Sequence, residues 1–186
     1  AEAANRLAAV LTREKALSNT YHFTRNTTED SLRWILYSGL AQYYYDQALF
    51  RKCIHSAQLA IPPTCALKDT AGWFALLTMQ TEAYVRTGDF DGARQSIRTC
   101  LEVAEKQGNP ERLASAYNNM GALYHHMRDD SFSIVMYRKG LETLRQIPAP
   151  ESLPMRAELL RNLGGAYGEM NRPKEAMQIL REALAI

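Results

Sequence analysis

Between Leu113 and Tyr124, the positions Tyr117, Met120, Gly121 and Tyr124 fall at i, i+3, i+4 and i+7, one face of a helix. The same pattern recurs along the chain. It predicts helices over 2–18 (Leu7, Val10, Leu11, Leu17), 30–46 (Trp34, Tyr37, Leu40, Ala41, Tyr44) and 48–61 (Cys53, Ala57, Ala60). Further helices are expected over 69–87, 90–107, 110–127, 131–146, 155–170 and from Pro173 to Ile186. A glycine inside a helix costs roughly 1 kcal/mol against alanine, so Gly121 points to another backbone passing close by.

Stop and start residues punctuate these stretches. Residues 19–27 read as a loop, and Thr27 with Asp30 can form a helix-start capping arrangement. Pro62-Pro63 is expected to end the third helix, because proline cannot continue the hydrogen-bond ladder. Gly88 suits the left-handed conformation just past a helix end. Gly108-Asn109-Pro110 reads as stop, N-cap and first-turn proline. Pro148 to Pro154 reads as a longer connection.

The helices repeat in pairs. Tyr44, Tyr84, Tyr124 and Tyr167 follow one another at intervals of 40, 40 and 43 residues. With units beginning at Trp34, Phe74, Ala114 and Ala157, tyrosine is the eleventh residue every time. The eighth residues are Ala41, Thr81, Gly121 and Gly164, all small. The twentieth are Cys53, Ala93, Ser133 and Ala176, and the twenty-seventh are Ala60, Cys100, Gly140 and Ala183, again small. The twenty-fourth are Ala57, Ile97, Tyr137 and Leu180. Small residues let helices approach within a pair, and large ones fill the space to the next pair.

On these residues the chain resembles the tetratricopeptide repeat (TPR) family. Asn119-Met-Gly-Ala-Leu-Tyr124 and Asn162-Leu-Gly-Gly-Ala-Tyr167 match its first-helix signature. Thr87-Gly-Asp-Phe-Asp-Gly-Ala93 and Asn171-Arg-Pro-Lys-Glu-Ala176 match its turn and second-helix start. The period is longer than the family's usual one and is similar to the variety found in kinesin light chains and many bacterial signalling proteins. HEAT and armadillo arrays share the period but not the small-residue positions. The resemblance implies an all-α fold: a TPR-like α-solenoid of antiparallel helix pairs forming a right-handed superhelix, with first helices lining a concave groove. Each unit relies on its neighbours to bury its apolar face. The expected organisation is an N-terminal helix and loop over 1–33, a degenerate unit over 34–73, units over 74–113 and 114–156, and a truncated unit over 157–186.

The resemblance also implies groove positions. Mapped onto this chain they are Ser38, Gly39 and Gln42; Thr78, Met79 and Glu82; Asn118, Asn119, Ala122, His125 and His126; and Glu158, Arg161, Asn162, Gly165 and Glu169. The candidate peptide- or protein-binding residues are Asn118, Asn119, Arg161, Asn162, His125, Glu82 and Gln42. Asn119 and Asn162 share one register position, and an amide offers both donor and acceptor, so a ladder of them can hold a peptide backbone; otherwise they bond neighbouring helices or water. The family's carboxylate clamp needs lysine and arginine around such asparagines. Thr78, Met79, Glu82 and Ser115 stand there instead, which argues against that mode. Arg161 is a single anchor for an acidic group, or else a solvated or ion-paired arginine.

Composition narrows the function classes. The net charge is +2, from interspersed residues with no basic block, so nucleic acid is not the expected partner. No apolar run approaches the ~20 residues of a membrane span. Cys53, Cys65 and Cys100 form neither a disulfide framework nor a zinc motif and fit a reducing, cytoplasmic compartment. His125 and His126 are helical neighbours about 100° apart, so they do not chelate a metal together, and no cofactor is implied. Asn26-Thr27-Thr28 matches the glycosylation sequon, a pattern that arises easily by chance. No nucleophile, phosphate-loop or metalloprotease motif is present, so the segment is not expected to be an enzyme. The chain starts without Met or a leader pattern and reads as a piece of a longer protein. The expected function is a protein-interaction scaffold, a sensory or docking part of a signalling or regulatory protein. The alternatives are self-association or interdomain packing through the exposed end at 173–186, or regulation of an enzyme outside the segment.

Overall fold

Four turns set the architecture, and the tyrosines mark them. The carbonyls of Tyr44, Tyr84, Tyr124 and Tyr167 each accept a hydrogen bond from the N–H five residues on, at 2.8 Å for Leu49 and 2.9 Å for Asp89, Asp129 and Arg172. The residue between, four after each tyrosine, has positive φ: Ala48 55°, Gly88 78°, Arg128 64° and Asn171 55°. Each of these also donates its N–H three residues back, at 2.9–3.1 Å. That pair of bonds is the Schellman helix stop. Only one of the four positions holds glycine. A left-handed Ala48 or Arg128 costs roughly 1–2 kcal/mol, so the two reverse hydrogen bonds and the packing beyond outweigh local preference.

In this computed structural model, residues 27–66 and 70–186 are described. The expected helix over 2–18 and the sequon asparagine lie outside them. The helices are α1 (Thr27–Asp46), α2 (Phe50–Ala66), α3 (Thr70–Thr87), α4 (Phe90–Gln107), α5 (Pro110–His126) and α6 (Asp130–Thr143). A 3-10 turn (Leu144–Gln146) follows, then α7 (Ala149–Glu169) and α8 (Pro173–Leu184). Among the described residues there is no strand, as the all-α reading requires.

Prolines account for two of the differences from expectation. Helix α2 runs through Pro62 and Pro63 to Ala66. Proline's φ is itself helical, and near a helix end it removes few ladder bonds. Likewise α7 begins at Ala149 and holds Pro154 in its interior, so most of the expected connection is helix. Pro150 sits in the first turn, where its missing N–H is no loss. A third difference is α6, which ends at Thr143 and tightens into the 3-10 turn rather than running to 146. The start of α5 follows expectation: Gly108 has φ 57°, and Asn109 Oδ1 accepts the Arg112 N–H at 3.0 Å.

Two compact bodies divide within α3, between Ala83 and Tyr84. In the first, α1 packs on α2. Its core is built from small residues (Ala41, Cys53, Ala57 and Ala60, each fully buried) with Trp34, Tyr37 and Tyr44 packed around them. Without bulk at those positions two helices can pack closely. Burial pushes the Cys53 thiol up to about 11, which keeps it protonated and unreactive.

In the second body each helix from α4 to α8 packs on the next, and α5 also touches α7. Equivalent positions make equivalent contacts. A Cβ on Gly121 would lie 2.6 Å from Cδ1 of Tyr137, and one on Gly164 would lie 2.7 Å from Cγ of Leu180. The eighth residue therefore receives the twenty-fourth in both pairs. The close neighbour of Gly121 is a ring, not the backbone its sequence suggested. Gly140 does meet backbone: its Cβ would come 2.9 Å from Leu159 Cδ2 and 3.3 Å from the Ala114 carbonyl. This lets α7 settle on the α5–α6 pair.

Candidate peptide-binding face

Helices α5 and α7 touch, and a chain of side-chain amides joins them. Asn118 lies near the middle of α5 and is buried. Its Nδ2 donates to Glu158 Oε1 at 2.8 Å, and its Oδ1 accepts from Asn162 Nδ2 at 2.9 Å. One amide thus uses both of its functions to register the two helices. Glu158 was a groove position in the sequence but not a chosen site residue. The signal for it was the interval: 40 residues separate Asn118 from Glu158, and 44 separate it from Asn162.

The remaining expected site residues take separate places. Asn119 is half-buried, and its Nδ2 is shut off from solvent without a hydrogen-bond partner. His125 Nδ1 lies 2.6 Å from Asp130 Oδ1, tying the end of α5 to the start of α6. Arg161 is exposed on α7, one residue before Asn162. Gln42 and Glu82 are exposed in the first body; the Gln42 amide donates to Asp46 Oδ1 at 2.8 Å along α1. The structure therefore joins Asn118 and Asn162 directly and leaves the others apart from that network.

Beside the amides the α7 backbone is bare. Gly165, on the groove register next to Asn162, is exposed, and a Cβ there would meet nothing within 4 Å. Its neighbour Gly164 is packed shut against Leu180. Gly39, on the groove register of the first body, is open in the same way. At the C-terminal end of the face Arg128 pairs with Glu169 at 3.2 Å, an exposed ion pair worth little by itself. Arg138 bonds the Tyr167 hydroxyl from behind the face.

The amides on this face can donate to and accept from a peptide backbone or another amide. The large shift in this body is at Tyr137, which burial in the core behind pushes up to about 12. No cluster of three or more metal-ligating side chains exists among the described residues, and none of their helices is long and apolar enough to cross a membrane.

A stack of helix pairs in which the same register positions make the same contacts is a helical-repeat solenoid. The tetratricopeptide repeat model matches residues 81–146 and 113–186, more than half of the chain, so the protein belongs to the tetratricopeptide repeat family. Such repeats are protein-interaction modules and generally non-catalytic. Two solved structures share the fold. BtubC (BKLC) from P. vanneervenii is 20% identical with a TM-score of 0.73, covering 97% of this chain and 72% of its own. The apo form of RapI is 12% identical with a TM-score of 0.73, covering 95% of this chain and 46% of its own. No curated protein sequence matches the chain.

Proposed function

We propose that the α5–α7 face binds a peptide or protein segment, and that the chain works as a docking or sensory module of a larger signalling or regulatory protein. The observation that carries this is Gly165. A helix-interior glycine costs roughly 1 kcal/mol, and at Gly165 no packing contact repays it. A bare stretch of backbone beside Asn162 leaves room for a ligand main chain to lie close. Asn162 is the polar group on that stretch, Asn119 and His125 stand on the neighbouring α5, the buried Asn118 holds Asn162 in place, and Arg161 at the edge offers a guanidinium to an acidic group. In the first body, taken by itself, Gln42 beside the open Gly39, and Glu82, hold groove register positions of the same kind. Those units run over 34–73, 74–113, 114–156 and 157–186, with 1–33 leading in. Buried, protonated cysteine at position 53 fits a reducing cytoplasm.

The test is selection of a random-peptide display library on the intact chain, followed by titration of the enriched peptides. Gly165→Leu should abolish their binding, and Asn162→Ala should weaken it roughly tenfold, the worth of one or two hydrogen bonds. Peptides that bind Gly165→Leu as well as the parent chain would overturn the reading.

A further inference from the structure

A carboxylate decides which way the amides between α5 and α7 point. Its oxygens accept hydrogen bonds and donate none, whereas an amide has one accepting end and one donating end. Asn118 therefore turns its Nδ2 to Glu158 Oε1, at 2.8 Å. That leaves its Oδ1 for Asn162, which must meet it with Nδ2, at 2.9 Å. The Asn162 Oδ1 is thereby turned away from Asn118. Among the described residues this oxygen has no protein partner, and it is not shut off from solvent. Turning the Asn118 amide over would set its oxygen against the Glu158 carboxylate and forfeit a charge-assisted bond. Turning Asn162 over would set two amide oxygens together. Asn119 holds the same register position on α5 but has no such anchor, since its Nδ2 is without a partner.

We propose that Glu158 is the positioning residue that sets the polarity of this face. Acting through Asn118, it holds the Asn162 oxygen outward, so a bound segment must bring an N–H donor to that place. This role rests on the α5–α7 face being the binding site, and it narrows what that site takes. A main-chain N–H lying beside the open Gly165 meets the requirement. A segment with proline there is refused, because proline has no N–H.

The probes are display-selected peptides that bind the 186-residue chain and that Gly165→Leu releases. In each, one backbone amide at a time is replaced by an ester, which removes a single N–H. At one position the ester should weaken binding about tenfold, the worth of one or two hydrogen bonds, and Asn162→Ala should erase that cost. Glu158→Lys, at an exposed position, is the decisive variant. A lysine only donates, so Asn118 turns its oxygen to it and its Nδ2 to Asn162, whose own N–H groups then point outward. The ester cost should fall to about twofold or less. Should circular dichroism show that the lysine variant has lost its helices, Glu158→Gln, which both donates and accepts, carries the same comparison with a cost between the two. A Glu158 that serves packing alone would weaken amide and ester peptides alike and keep the full ester cost in the variant, which overturns the proposed role. Proton exchange of the Asn162 side-chain amide, followed by NMR, reads the same relay without any peptide: slowed in the parent chain and fast in Glu158→Lys. Equal exchange in the two also overturns it. If Gly165→Leu releases no peptide, the face itself is wrong and the donor requirement falls with it. Peptides that Gly165→Leu releases but that no ester weakens strike the role of Glu158 alone.

Discussion

The α5–α6 and α7–α8 pairs are built on one register, yet they have unlike interiors. At the twenty-fourth position Tyr137 is 2% exposed and Leu180 is 40% exposed. Three residues before, Ile134 is buried while Met177 is 54% exposed. The more polar side chain is the better hidden. Residue type does not decide burial here; the helix lying on top does. Tyr137 has α7 packed against its helix, and Leu180 lines an open hollow with Ala157, Glu158, Arg161 and Leu184. Of the residues of α8, Ala176 alone is buried, so this helix draws little stability from the core. In a stacked array each pair borrows its core from its neighbours, and the α7–α8 pair shows what is missing when one side is bare.

Truncating the two equivalent side chains sharpens that contrast most. Tyr137→Ala empties a filled site and should cost about 3–5 kcal/mol, the range for buried aromatics. Leu180→Ala removes a side chain already half in water and should cost about 1 kcal/mol, from the area bookkeeping of a partly exposed leucine. Urea unfolding followed by circular dichroism measures both. Similar losses would mean that α8 is held as firmly as α6.

A subtler version adds one methyl at the eighth position. Gly121→Ala drives a Cβ into the Tyr137 ring, which is buried and cannot swing away. Overpacking of this kind costs about 1–3 kcal/mol, more than the gain in helix propensity. Gly164→Ala meets Leu180, whose exposed side chain can turn toward solvent. There the gain of roughly 1 kcal/mol from replacing a helical glycine should cancel the contact or exceed it. Opposite shifts in melting temperature are the expected result, and shifts of the same sign would break the comparison.

Much of this was legible in the chain because the repeat averages over local noise. Four tyrosines at near-constant spacing located four turns that share one set of hydrogen bonds, though only Gly88 has the residue such a turn favours. Ala48 and Arg128 carry no local sign of a left-handed bend; only the register reveals them. Proline misled for the opposite reason. Pro63 and Pro154 look like breaks when read alone, but α2 and α7 continue through them because losing one or two ladder bonds near a helix end is affordable within packed helices. The amide bridge was out of reach as well. Asn118 and Asn162 were each visible as groove positions, but whether an amide faces a ligand or a neighbouring helix depends on the separation of α5 and α7, which no single helix encodes. Glu158, likewise a groove position, gains its role only through that separation.

The smallest effect concerns adjacent glycines that the sequence cannot tell apart. Gly164 and Gly165 sit side by side in α7, one packed against Leu180 and one open to solvent. If Gly165 served the fold, alanine there would destabilise or leave stability unchanged. Its added Cβ meets nothing within 4 Å, and its φ is not in the left-handed region. Alanine should therefore stabilise by up to about 1 kcal/mol, the propensity difference alone. Chemical denaturation of Gly165→Ala resolves a change of that size. A glycine whose replacement improves the helix is retained for something other than the helix, and bare backbone beside an amide is what a bound main chain would use. A loss of stability at Gly165 would return that glycine to the architecture and remove the strongest support for the α5–α7 face as a binding site.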